Sequence, residues 1–132
     1  MKLRQLITEI QVDNPKYDVE VDEHGDMFYY KVGTRIKHRI GGPAIEFNNG
    51  TNVWYQNGKL HRLDGPAIEY SDGSKKYFQN GKCHRLDGPA IEWDDGQKWW
   101  FINDEEYTEE EFNKITNKLN EIKVNKRWPR LN

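Results

Sequence analysis

The sequence predicts a mainly β protein: an antiparallel meander of hairpin repeats, with a short N-terminal helix and an amphipathic C-terminal helix. Three observations carry that expectation. His38, His61 and His84 recur at a 23-residue spacing, each followed by Arg39, Arg62 or Arg85, and the identical block Gly-Pro-Ala-Ile-Glu stands at 42–46, 65–69 and 88–92. Such a period means that one supersecondary unit is stacked on copies of itself. Each unit also carries two turn dipeptides, Asn49-Gly50 and Asn57-Gly58 in one copy, Asp72-Gly73 and Asn80-Gly81 in the next. Finally, the stretches between the turns are short and rich in aromatic and β-branched residues, which suit strands.

The elements follow in order. Leu3, Leu6, Ile7 and Ile10 fall at helical spacing before Asp13-Asn14-Pro15, which predicts a helix over 2–11. The repeat sheet is expected over 17–107, with three clear units and one worn one, in which Gly25 and Gly33 keep the spacing of Gly50 and Gly58. Phe28-Tyr29-Tyr30 then aligns with Val53-Trp54-Tyr55, Lys76-Tyr77-Phe78 and Trp99-Trp100-Phe101. Within the unit 65–87, strands are expected at 67–70, 74–79 and 82–86. Type I′ turns are expected at the Asx-Gly pairs, because both central residues of that turn need positive φ. Pro66 and Pro89 belong at strand starts, since proline cannot donate to a ladder. Thr108-Glu109-Glu110-Glu111 reads as a capping box opening a helix over 108–123, with Phe112, Ile115, Leu119 and Ile122 as its apolar stripe. Both helices are expected to cap the array, and residues 124–132 to form a basic tail. All 132 residues are expected to form one domain.

Composition narrows the function classes. With 32% charged residues the chain is polar, but 13% aromatic residues, five of them Trp, argue against disorder and place aromatics in the core. A formal charge of -2 gives no global drive toward nucleic acid or anionic lipid. Cys83 is the single cysteine, so no intramolecular disulfide can form, and its counterpart Leu60 marks it as an apolar filler. No stretch approaches the ~20 apolar residues of a membrane span, and the N-terminus lacks an apolar signal core. The expectation is a cytoplasmic protein that does not engage a membrane.

The repeated His-Arg pair is the sharpest candidate for chemistry. An imidazole and a guanidinium can hold a phosphate or carboxylate together, and nearby rings can stack a base. The candidate binding residues are therefore Arg39, His61, Arg62, His84 and Arg85, with Trp54, Tyr77 and Trp100 beside them. In the tail, Lys126, Arg127, Trp128 and Arg130 could contact phosphates and stack a base. The competing reading is a structural ladder, in which the arginines pair with Glu46, Glu69 and Glu92 and the histidines bond backbone at the turns. Repetition favours the ladder, because a folding problem recurs in every unit and a site need occur once. Equivalent histidines, roughly 10 Å apart if each unit adds two strands, are too distant to share a metal ion. No nucleophile elbow or phosphate loop is present. No catalytic residue, metal or cofactor is expected.

The run Tyr77-Phe78-Gln79-Asn80-Gly81-Lys82-Cys83-His84, and its copy ending at His61, resembles the MORN repeat, a β-hairpin unit of the same length. Phe78, Asn80, Gly81, Lys82 and His84 match the family's aromatic-x-Asn-Gly-Lys-x-His pattern, as do Tyr55, Asn57, Gly58, Lys59 and His61. Arg62 and Arg85 stand where the family has Gly, and the Asp-Gly-Pro-Ala-Ile-Glu block is foreign to it. This form is similar to MORN-like arrays in uncharacterised proteins of tailed phages and large DNA viruses. The resemblance covers about two thirds of the chain and implies an interaction scaffold. The expected function is a non-enzymatic, phage-encoded binding protein that docks on a host protein, for example a defence factor, and inhibits or redirects it. The alternative is a nucleotide or nucleic-acid binder using the His-Arg pairs and the basic tail. A homodimer through a sheet edge or an exposed aromatic strip stays open.

Overall fold

The computed structural model describes residues 16–127. The helix expected over 2–11 lies outside them, as do Trp128 and Arg130. Among the described residues the fold is mainly β, with thirteen short strands followed by one helix. Strands β1 (Asp18–Val21), β2 (Met27–Tyr30), β3 (Ile45–Glu46) and β4 (Asn52–Val53) begin an antiparallel sheet. It continues through β7 (Ile68–Glu69), β8 (Lys75–Lys76), β11 (Ile91–Glu92), β12 (Lys98–Ile102) and β13 (Glu105–Tyr107), in the order β1-β2-β3-β4-β7-β8-β11-β12-β13. Two small hairpins stand beside it: β5 (Tyr55–Gln56) with β6 (Lys59–Leu60), and β9 (Phe78–Gln79) with β10 (Lys82–Cys83).

The strand expected over 74–79 is interrupted at Tyr77, and its copy at Trp54. These residues change partners: the Trp54 N–H donates to Ala67 O of the next unit (2.7 Å), whereas its own carbonyl accepts from His61 N (3.1 Å). Tyr77 repeats the switch with Ala90 and His84, at 2.8 and 3.1 Å. Each unit therefore feeds one ladder with its first half and a second with its last. In the third unit β12 runs unbroken from Lys98 to Ile102, pairing with β11 and then with β13.

The two turn types differ, which corrects the expectation of type I′ at both. At the second turn both central residues are left-handed, with φ of 52° and 77° at Asn57 and Gly58 and 51° and 80° at Asn80 and Gly81. At the first, only Gly50, Gly73 and Gly96 have positive φ, while Asn49, Asp72 and Asp95 accept a hydrogen bond from the N–H two residues on. These residues form Asx turns with glycine in the left-handed position after them.

Packing is densest where units meet. Ala44, Ala67 and Ala90 are wholly buried, and the buried hydroxyls of Thr51 and Ser74 accept from Ser71 N (3.1 Å) and Asp94 N (3.0 Å) of the following unit. Helix α1 (Glu109–Arg127) opens with the expected capping box, Thr108 Oγ1 accepting from Glu111 N at 3.2 Å. It runs four residues past the expected end, because no breaker occurs before Pro129 and the late Lys and Arg suit the C-terminal dipole. Of its apolar stripe only Phe112 is buried; Ile115 is half-buried, and Leu119 and Ile122 are exposed. The helix is anchored by its first turns.

Candidate binding surface

The His-Arg pairs spend their hydrogen bonds as the ladder reading expects, the arginines on Glu46, Glu69 and Glu92 and the histidines on turn backbone. His38, His61 and His84 each accept, through Nδ1, the N–H of Asn57, Asn80 and Asn103 in the next turn along the array, at 2.9, 3.0 and 3.1 Å. That role requires an unprotonated Nδ1. Burial, the main cause, lowers the pKa of His38 and of His84 below its ordinary value, and at His38 the nearby Lys31 charge adds to it.

The arginines are held just as closely. Arg62 Nη1 donates to Pro66 O (3.1 Å) and Glu69 Oε1 (2.8 Å), Nε donates to Asp64 Oδ1 (3.0 Å), and the guanidinium lies 3.9 Å over the Trp54 ring. Arg85 repeats the pattern with Pro89, Glu92 and Asp87, and lies 4.0 Å over Tyr77. Arg39 stacks on Tyr29 at 4.0 Å and bonds Pro43 O and Glu46, but Gly41 stands where Asp64 and Asp87 stand in the later copies. The glycine before each proline has its reason here: a Cβ on Gly65 or Gly88 would come within 2.8 or 2.9 Å of the guanidinium carbon.

Between neighbouring units this arrangement leaves a repeated groove. One cavity of about 300 Å³ lies between Arg39, Trp54 and Arg62, and the next, of about 480 Å³, between Arg62, Tyr77 and Arg85. Their lip carries Leu63 and Leu86, which are 74% and 37% exposed, and Ile40, at the same repeat position, is 59% exposed. This apolar row went unnoticed in the sequence, although its 23-residue spacing was there to be read. A second exposed patch lies at the far end of the array, where Trp93 and Trp99 are 37% and 39% exposed and the Lys76 ammonium sits 4.9 Å from the Trp93 ring.

Trp100, the fourth ring in the series, carries no guanidinium among the described residues, because Thr108 occupies the arginine's repeat position and starts the helix cap. Trp100 and Tyr107 line a cavity of about 520 Å³ together with Trp99, Glu106, Glu109 and Glu111. Lys126 is exposed in the last turn of α1 and Arg127 ends it, on the opposite end of the helix from this cavity. The structure thus brings Arg39, Trp54, His61, Arg62, Tyr77, His84 and Arg85 into one repeated row and leaves the basic residues apart from it. Cys83 is buried, and burial pushes its thiol up to about 11, which keeps it neutral and unreactive. No helix is long and apolar enough to cross a membrane, and no cluster of three metal-ligating side chains occurs among the described residues. No protein-family model, no curated protein and no solved structure matches this chain.

Proposed function

We propose that this chain is a non-enzymatic protein-binding module, a MORN-like array that docks on another protein through the apolar lip of its repeated groove. One observation carries the reading. The guanidinium and imidazole groups are already engaged by carboxylates, carbonyls, rings and turn amides, whereas one repeat position, Ile40, Leu63 and Leu86, leaves an apolar side chain exposed in every unit. An exposed apolar row beside polar grooves is the composition of a protein interface core with its polar rim. The resemblance to viral arrays makes the partner a host protein, and inhibition of a defence factor is the corresponding role in a phage, acting in the host cytoplasm.

The test is affinity purification from the cellular context with and without nuclease and at high salt, followed by reconstitution with the purified partner. Stoichiometric binding that survives nuclease and salt, and is lost in Leu63→Glu, supports the reading. Recovery of nucleotide or nucleic acid, with affinity falling steeply with salt, would overturn it in favour of a site built on Arg62, Arg85 and the basic end of α1.

A further inference from the structure

We propose that the C-terminal end of the array is a strand-addition site, which takes an extended polypeptide bearing an arginine followed by a small residue, a branched aliphatic and a carboxylate. The edge of β12 that faces away from β11 is covered by β13 at Trp100–Ile102 alone, so Lys98 and Trp99 have an unpaired edge among the described residues. An open edge is a template for another strand, whose backbone supplies affinity while side-chain pockets supply specificity.

The occupant follows from the interfaces between units, which this edge continues. In the first unit the equivalent edge, Asn52–Val53, pairs with Glu69 and Ile68 of the next unit; in the second, Lys75 and Lys76 pair with Glu92 and Ile91. Each added strand arrives with Ala67 or Ala90 accepting from the ring-bearing residue's N–H, and with Arg62 or Arg85 laid over that ring. At the third unit Lys98 holds the register position of Lys75, opposite a glutamate, and Trp99 that of Lys76, opposite an isoleucine. Trp100 is a ring of this series without its cation. Glu106, Glu109 and Glu111 surround the cavity there, and Glu106 and Glu109 form no ion pair among the described residues, so a basic side chain is the complement.

The stitch that ties units together also stops here. The hydroxyls of Thr51 and Ser74 each bond the following unit, but their counterpart is Gln97, whose amide turns back to Asp95 at 2.9 Å. A second copy of this chain fits less well. The other end of the sheet is β1, Asp-Val-Glu-Val, which has no basic side chain to lay over Trp100 and whose Glu20 is already paired with Arg35.

This site deepens the docking reading and rests on it for its biological partner, but its chemistry can be tested alone. The probe is a labelled, end-blocked peptide of this chain's own residues 84–93, titrated into the intact protein and followed by anisotropy and Trp indole NMR shifts. We expect saturable binding with shifts at Trp99 and Trp100, weakened about tenfold or more by N-methylation of the peptide at Glu92, whose N–H lies on the side of the preceding unit as that of Asp94 does, and by Arg85→Gln in the peptide. Because those changes are in the peptide, the fold of the protein is not in question. Absence of saturable binding, or indifference to N-methylation, overturns the proposal. Concentration-dependent self-association abolished by Trp99→Lys would overturn it in favour of a second copy. A protein partner lost in Leu63→Glu but kept in Trp99→Lys would leave the docking reading standing and sink the strand site. Peptide binding without any protein partner would do the reverse.

Discussion

The inner units and the C-terminal end of the array solve the same problem in different ways. Between units, a strand pairs, a hydroxyl crosses to the next turn, and an arginine bridges ring, carbonyl and carboxylate. At the end the chain has no further unit to offer, so Tyr107-Thr108 replaces His-Arg and a helix is planted by one buried ring, Phe112. Repetition distributes stability over many modest contacts, and termination concentrates it in one. The difference between the two predicts where the molecule is fragile.

The largest effect is expected at the terminator. Phe112→Ala removes a ring that is 3% exposed and should destabilise by about 3 kcal/mol in urea unfolding, with fluorescence from the neighbouring Trp100 changing first. Ile122→Ala, on the same stripe but 46% exposed, should stay within about 0.5 kcal/mol. Equal effects would mean that the whole stripe is packed. Next comes Arg62→Ala, which leaves Asp64 and Glu69 without their cation and uncovers Trp54, at a cost of about 2 kcal/mol. Arg39→Ala should cost less, since Gly41 gives that arginine no second carboxylate.

Much of this architecture was legible beforehand because it is written in period and turn chemistry. Asn57-Gly58, Asn80-Gly81 and the Thr108–Glu111 capping box lie where the residues require them, and the fold class follows from their repetition. The break at Trp54 and Tyr77 was not legible, since it arises from a change of hydrogen-bond partner between units and not from any breaker in the sequence. Nor were the roles of Gly65 and Gly88: a turn glycine and one that yields room to a guanidinium read alike until the arginine is placed. Periodicity could show the apolar stripe of α1, but not that only its first turns are covered. The candidate row of arginines, histidines and rings was visible as a set. Their pairing with Glu46, Glu69 and Glu92 and with turn backbone was legible from repetition, whereas the stacking of the guanidinium groups on Trp54 and Tyr77 and their bonds to Asp64 and Asp87 were not.

A smaller contrast separates Ser74 from Gln97. Ser74→Ala strands the Asp94 N–H at a site that is 1% exposed and should cost about 1–2 kcal/mol, while Gln97→Ala, with no following unit to hold, should be nearly neutral. Thermal melts of the two variants decide it, and equal losses would show that position 97 carries a contact of its own.

The smallest effect is a slope with pH that the inner units have and the terminator lacks. His38 and His84 have folded-state pKa values below the ordinary 6.5, chiefly through burial, and each accepts a turn N–H through Nδ1. As pH falls through about 6.5 the unfolded chain takes up these protons before the folded one does, so the histidines' contribution is full above that value and is lost as pH drops through the lowered folded values. Melting temperature should therefore decline on that acid side before the carboxylates titrate. His84→Asn, whose Oδ1 can stand in for Nδ1 as acceptor, should flatten part of the slope while holding the Asn103 turn. Tyr107, which replaces the histidine in the terminating hairpin, donates its hydroxyl to Glu105 and has no group that titrates in this window. A slope unchanged in His84→Asn would place the acid sensitivity elsewhere in the array.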